Sequence, residues 1–229
     1  TSLLPGFASA SLILIGASTE LQSNLIDGVF GTEPGQFTDE ALNLVHGSLM
    51  DSGIQTDAMI TIVPVDSDHG LSLMVLVDGA GSPGITNDSS LSLFTTAPGS
   101  SSLYINDNPI DMTGHINGGS GMQSAFGFFS WDSTSEGDAL AWANLQYGDH
   151  ITFLFNLLDG DLPTIPGLQS ENSIQFITWQ GDAWAVASTS SFNELGQFAF
   201  AAGVVPAPGA ITLLPLAALA ARRRRRTPG

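Results

Sequence analysis

The sequence predicts an all-β fold: a β-sandwich or jelly roll of antiparallel strands, with one short helix and an apolar helix near the C-terminal end. Three observations carry this. Apolar residues fall into many short runs, several of them alternating and most rich in β-branched or aromatic side chains. Glycine (26) and proline (12) punctuate the chain between those runs. Only Thr38–Leu49 has helical spacing. No repeat of fixed period is present, which argues against a propeller or β-solenoid.

Taken in order, the expected strands are Ser11–Ala17, Ala58–Val65, Leu71–Val77, Leu91–Thr96, Ser102–Ile105, Gln123–Trp131, Leu140–Gln146, His150–Asn156, Ile174–Gln180, Ala183–Ala187 and Gln197–Ala201. The clearest are Ile151–Asn156, where Phe153 and Phe155 alternate with Thr152 and Leu154, and Ile174–Trp179. Gln180-Gly181-Asp182 reads as a tight hairpin turn, and 78–84 and 117–121 as glycine-rich loops. In the helix, Thr38 or Asp39 supplies the cap. Ala41, Leu42, Leu44, Val45 and Leu49 are the expected buried positions, and the early acids suit a helix N-terminus.

Composition bounds the function. The chain is 43% hydrophobic with 13 Phe and 4 Trp, too apolar for a disordered protein. It has no cysteine, so neither a disulfide framework nor thiol catalysis is available. All 22 acidic residues lie between Glu20 and Glu194, and residues 1–221 hold no Lys or Arg. With no cation to pair those acids, the body must be stabilised by burial and backbone hydrogen bonds. Such a surface suits a salty medium or bound divalent cations, and it repels nucleic acid and anionic membrane surfaces.

The five basic residues are contiguous: Arg222, Arg223, Arg224, Arg225 and Arg226. Ahead of them Ala210–Ala221 is apolar or small throughout apart from one Thr and one Pro, and ahead of that stands Val205-Pro206-Ala207-Pro208. An apolar segment followed by arginines is a stop-transfer arrangement, with the basic cluster cytoplasmic and the body outside. The 12 residues after Gly209 fall short of the about 20 needed for a permanent span, so the length suits a transient membrane hold.

This tail resembles the PEP-CTERM sorting signal of Gram-negative bacteria, which an exosortase processes. Val205, Pro206 and Pro208 match that signal's Val-Pro-Glu-Pro motif, with Ala207 where Glu is usual. Ala210–Ala221 matches its apolar helix and Arg222–Arg226 its basic end. The resemblance covers residues 204–229 only. It implies an exported protein whose tail sits in the inner membrane before processing, an exosortase-type enzyme as partner, and a setting at the cell surface or in the extracellular matrix of a biofilm.

At the other end, Ala8-Ser9-Ala10 fits the small-x-small pattern of a signal-peptidase site, with Leu3, Leu4 and Phe7 as the end of its apolar core. Residues 1–10 are then a signal-peptide remnant and 11–203 a single domain. The competing reading is an apolar N-terminal strand.

Candidate chemistry lies in the loops. Asp66 and Asp68, Asp107 and Asp111, and Asp159 and Asp161 are spaced to offer hard oxygen ligands to Ca²⁺, although Asp and Gly are also ordinary turn residues. His46, His69, His115 and His150 form no zinc-hydrolase spacing, and no Gly-x-Ser-x-Gly elbow occurs. Trp179 and Trp184 flank the Gln180–Asp182 turn and are candidates to stack on a sugar ring, against the competing role of core packing.

The reading is of an exported, non-enzymatic surface or matrix protein associated with exopolysaccharide. A Ca²⁺-dependent, lectin-like module and an exported hydrolase are the alternatives.

Overall fold

The computed structural model describes residues 10–30, 35–36, 38–56, 59–77, 89–106, 112–117, 121–131, 138–157 and 172–206. Fifteen strands and one helix occur among them. The strands before the helix are β1 (Ala10–Leu14), β2 (Glu20–Gln22), β3 (Asn24–Leu25) and β4 (Gly35–Gln36); the helix, α1, is Asp39–Asp51. After it come β5 (Ile60–Ser67), β6 (Gly70–Val77), β7 (Ser89–Pro98), β8 (Ser102–Asn106), β9 (Met112–Asn117) and β10 (Met122–Trp131). The remainder are β11 (Asp138–Leu145), β12 (His150–Leu157), β13 (Ile174–Trp179), β14 (Trp184–Ser190) and β15 (Gln197–Pro206).

These strands form two sheets. One runs β2-β1-β15-β12-β7-β10-β9 and the other β14-β13-β5-β6-β11-β8-β4, with β3 added alongside β5. Leu12, Leu91, Leu93, Phe153 and Phe155 of the first sheet share one buried cluster with Ile60, Ile62, Leu73, Val75 and Trp142 of the second. The arrangement of two sheets around a common core is consistent with a β-sandwich.

The second sheet is covered on its other face as well. Leu42, Val45 and Leu49 of α1 join Val63, Val65, Met74, Leu76 and the alanines 139, 141 and 143 in a separate buried cluster. Double coverage explains why β5, β6 and β11 are nearly continuous apolar runs. In β12, by contrast, buried and exposed residues alternate, as in a strand with one face in water.

The expectation of purely antiparallel strands needs correction. The pairs β3–β5, β4–β8 and β5–β13 are parallel. The helix accounts for one of them: α1 lies between β3 and β5, and a parallel neighbour requires a crossover of this kind. Pro64 sits where the partner of β5 changes, between Ile62, paired with β13, and Val65, paired with β3. A proline is tolerated there because its missing N–H faces no ladder partner.

The helix begins where expected. Thr38 is the N-cap, its side chain accepting from the Ala41 amide at 3.3 Å. Its buried face is Ala41, Leu42, Val45, His46 and Leu49. Leu44, expected inside, is instead 45% exposed, because its turn angle puts it opposite Leu42 and Val45.

The expected strand ends moved by a few residues. The first strand stops at Leu14, where the chain turns through Gly16 at φ +94° and Ser18 at φ +53°. The last continues past Ala201 through Val205 and Pro206, because β1 pairs with that part of it: Ser11 faces Val205 and Ala10 faces Pro206. Val205 and Pro206, the first two residues of the motif in the tail, therefore belong to β15.

Candidate functional site

The Asp66–Gly70 segment is a hairpin. Ser67 faces Gly70 across the β5–β6 ladder, Gly70 takes φ +77°, and Ser67 Oγ accepts from the His69 amide at 3.1 Å. Asp66 is partly buried, and desolvation raises its pKa, opposed by a hydrogen bond from the Ser67 amide. Asp68 is exposed at the tip. The His69 ring faces inward over Phe30 and Tyr104, with ring centroids 6.1 and 5.7 Å away. Its Nδ1 lies 3.4 Å from the Tyr104 hydroxyl. These contacts tie the hairpin to the sheet beneath.

Among the described residues, no three of His, Asp and Glu come together as a metal-binding group. Asp107, Asp111, Asp159 and Asp161 lie outside the described residues.

The two tryptophans meet as the spacing suggested. Trp179 and Trp184 are cross-strand partners beside the Gln180–Ala183 turn, edge to face at 5.2 Å. Trp184, however, is only 3% exposed. Its indole N–H donates to Ser48 Oγ on α1 at 2.8 Å, and its amide donates to Ser52 Oγ at 3.1 Å. It has no open ring face for a sugar and serves instead to dock the helix on the sheet. Trp179 is partly buried against the same cluster.

His46 lies on the inner face of α1 and is only 3% exposed. Its Nδ1 is 3.1 Å from Thr56 Oγ1, while Nε2 is buried without a hydrogen-bond partner among the described residues. Burial lowers its pKa to about 4.

A concavity of binding size lies elsewhere, lined by residues of both sheets. It is a cleft of about 340 Å³ between the turn after β1 (Leu14–Ala17), the end of β14 (Ser188–Ser190) and the first half of β15 (Phe198–Ala201). Phe176 of β13 lies at its base. Phe176 meets Phe200 edge to face at 5.2 Å, and Phe200 stacks on Phe153 at 5.0 Å, so the floor is fixed by core packing.

The topology explains why this space is open. β12 flanks β15 from Gln197 to Gly203, but β1 pairs only with Ala202–Pro206. On the β1 side of β15, Gln197 is bonded by Asn193 and the Ala201 carbonyl by Ile15. Between them, the amide and carbonyl of Ala199 face the cleft, with no partner among the described residues.

Sequence reasoning missed this cleft. Phe198 and Phe200 alternate with smaller or polar neighbours just as core residues do, and the early end of β1 leaves them half-buried.

The sorting residues Ala207 and Pro208, the apolar run Ala210–Ala221 and Arg222–Arg226 lie outside the described residues. Among the described residues, no helix is long and apolar enough to cross a membrane. Comparison with family models, with curated proteins and with solved structures finds no match.

Proposed function

We propose that this chain is an exported, non-enzymatic protein of the cell surface or extracellular matrix, associated with exopolysaccharide. The segment 204–229 acts as its sorting signal. Ala210–Ala221 is a short apolar helix that holds the chain transiently in the inner membrane, with Arg222–Arg226 on the cytoplasmic side. An exosortase-type enzyme removes it. The two-sheet body, a β-sandwich in this reading, is the part that is displayed or released.

The observation that carries the proposal is the segregation of charge: five arginines in one block behind an apolar run, on a body with 22 acids and no Lys or Arg. A second observation supports it. Ala10, the last residue of the small-x-small site, and Pro206, within the motif, are cross-strand partners. On this reading the two processing points lie beside each other at one end of the β1–β15 pair.

The test is expression of the full chain and of a variant lacking Arg222–Arg226 in a host that has the processing enzyme. The full chain is expected at the surface or in the matrix with a mass reduced by the tail. The deletion variant is expected unprocessed, in the medium or misplaced. Identical location and identical mature mass for the two would sink the sorting reading.

A further inference from the structure

We propose that the cleft between β14 and β15 is a binding site for an uncharged sugar residue. This rests on the reading of association with exopolysaccharide and deepens it, and it is argued from the geometry of the cleft. Its volume of about 340 Å³ is at the lower end of the range for small-ligand sites. That size admits a sugar unit at the end of a chain, and the open side leaves room for the rest of the polymer.

The lining selects the chemistry. The half-buried rings of Phe198 and Phe200 supply an apolar aromatic floor, backed by the buried Phe176. Such surfaces suit the C–H face of a pyranose ring, which is apolar while its edge carries hydroxyls. On β14, where Ser188 is the cross-strand partner of Phe176, Ser188 and Ser190 line the same cleft with hydroxyl groups that both donate and accept. The peptide group of Ala199 adds one donor and one acceptor directed into the same space. A ligand with one apolar face and a rim of hydroxyls satisfies all of these groups together.

Charge narrows the class further. No ionisable side chain lines the cleft, although the chain carries 22 acidic residues. A cationic ligand finds no carboxylate to hold it there. An anionic ligand, such as a uronic acid, is repelled by the net charge of −17 and meets no arginine or lysine. A purely aliphatic ligand would leave the Ala199 peptide group buried without a partner, which costs about 1–3 kcal/mol for each such group.

The experiment is titration of the full chain with neutral trisaccharides of glucose, galactose and mannose, followed by ligand-observed NMR and calorimetry. Trigalacturonate and a short, uncharged extended peptide are run in parallel. At least one neutral trisaccharide is expected to saturate, and trigalacturonate is not. The double variant Ser188→Ala, Ser190→Ala is expected to lose affinity at least tenfold at unchanged melting temperature. Phe200→Leu, which keeps most of the core volume, gives an independent loss. The proposal is overturned if no neutral sugar saturates, if both variants bind as the parent does, or if the peptide competes the sugar out by pairing with β15. Because sorting is read from mass and location, a chain that is cleaved normally and binds no sugar overturns this proposal and leaves the sorting reading standing.

Discussion

Trp142 of β11 and Thr95 of β7 join the two sheets through the core: the indole N–H donates to the threonine hydroxyl at 2.9 Å. That hydroxyl in turn donates to the Thr152 carbonyl on the neighbouring strand β12, at 2.7 Å. Both side chains are fully buried. The residues of this small network lie on three strands and fix how the sheets sit over one another. Thr95→Val preserves the shape and removes both bonds, so it is expected to cost about 1–3 kcal/mol. Thr95→Ser should recover most of that. Urea unfolding midpoints for the three proteins decide it, and a Val variant as stable as the parent would show that the network is dispensable.

His46 makes stability depend on pH. Its pKa in the folded protein is about 4, against an ordinary 6.5, because burial penalises the charged ring. Below pH 6.5 the unfolded chain gains a proton that the folded chain refuses. The contribution is therefore complete above pH 6.5 and lost as pH falls toward 4, a difference on the order of 3 kcal/mol. Unfolding measured from pH 7 to 4 should show a steeper decline for the parent than for His46→Leu. Parallel curves would mean that the histidine is not held neutral by its site.

Trp184 and Ser48 form the anchor between the second sheet and α1. Trp184→Ala is expected to cost about 3–5 kcal/mol, because a large aromatic volume is lost from beneath the helix. Trp184→Phe keeps a ring but drops the hydrogen bond, which is worth about 1 kcal/mol. If that bond is the whole link, Ser48→Ala adds little on top of Trp184→Phe, and a double-mutant cycle reads the coupling. Full additivity would place the contribution of Ser48 elsewhere.

Salt should stabilise this protein. Its 22 carboxylates have no Lys or Arg to meet before residue 222, so mutual repulsion dominates at low ionic strength. Screening shortens that repulsion to about 3 Å at 1 M salt. The melting temperature is expected to rise from 10 mM to 1 M NaCl and to rise similarly with KCl. A flat response would indicate that the acids are already spaced beyond effective reach.

Much of the fold was legible because burial imposes periodicity. The alternation in β12 announced a strand with one wet face, and Thr38 announced the start of α1. The hairpin at Gly181 was marked by its glycine, which takes φ +99°. The short strands β2, β3 and β4 were not legible, since two or three residues carry no period of their own and are held only by neighbours. Parallel pairing at β5 was hidden for a related reason. Strand direction follows from where the connections run, and no local pattern around Ile60–Ser67 encodes that. His46 shows the same limit in a side chain, because its helical position fits the buried face while its residue type argues for the surface. Trp184 was noticed as an aromatic by a turn, yet its place under α1 depends on Ser48, 136 residues away in sequence.

The register of β15 has a mechanical consequence. Its C-terminal end is the point where the chain continues into the tail, and the strand is gripped on one side by β1 and on the other by β12. If the tail is held and drag acts on the body, the load runs along the axis of β15. The rows of hydrogen bonds on both sides, which lie across the strand, are then strained together in shear. If the chain is instead pulled by Ala10 against Pro206, the load falls on one rung at a time, and β1 peels away like a zip. The same ladder is therefore strong toward a tether at the tail and weak toward a force that parts its two ends.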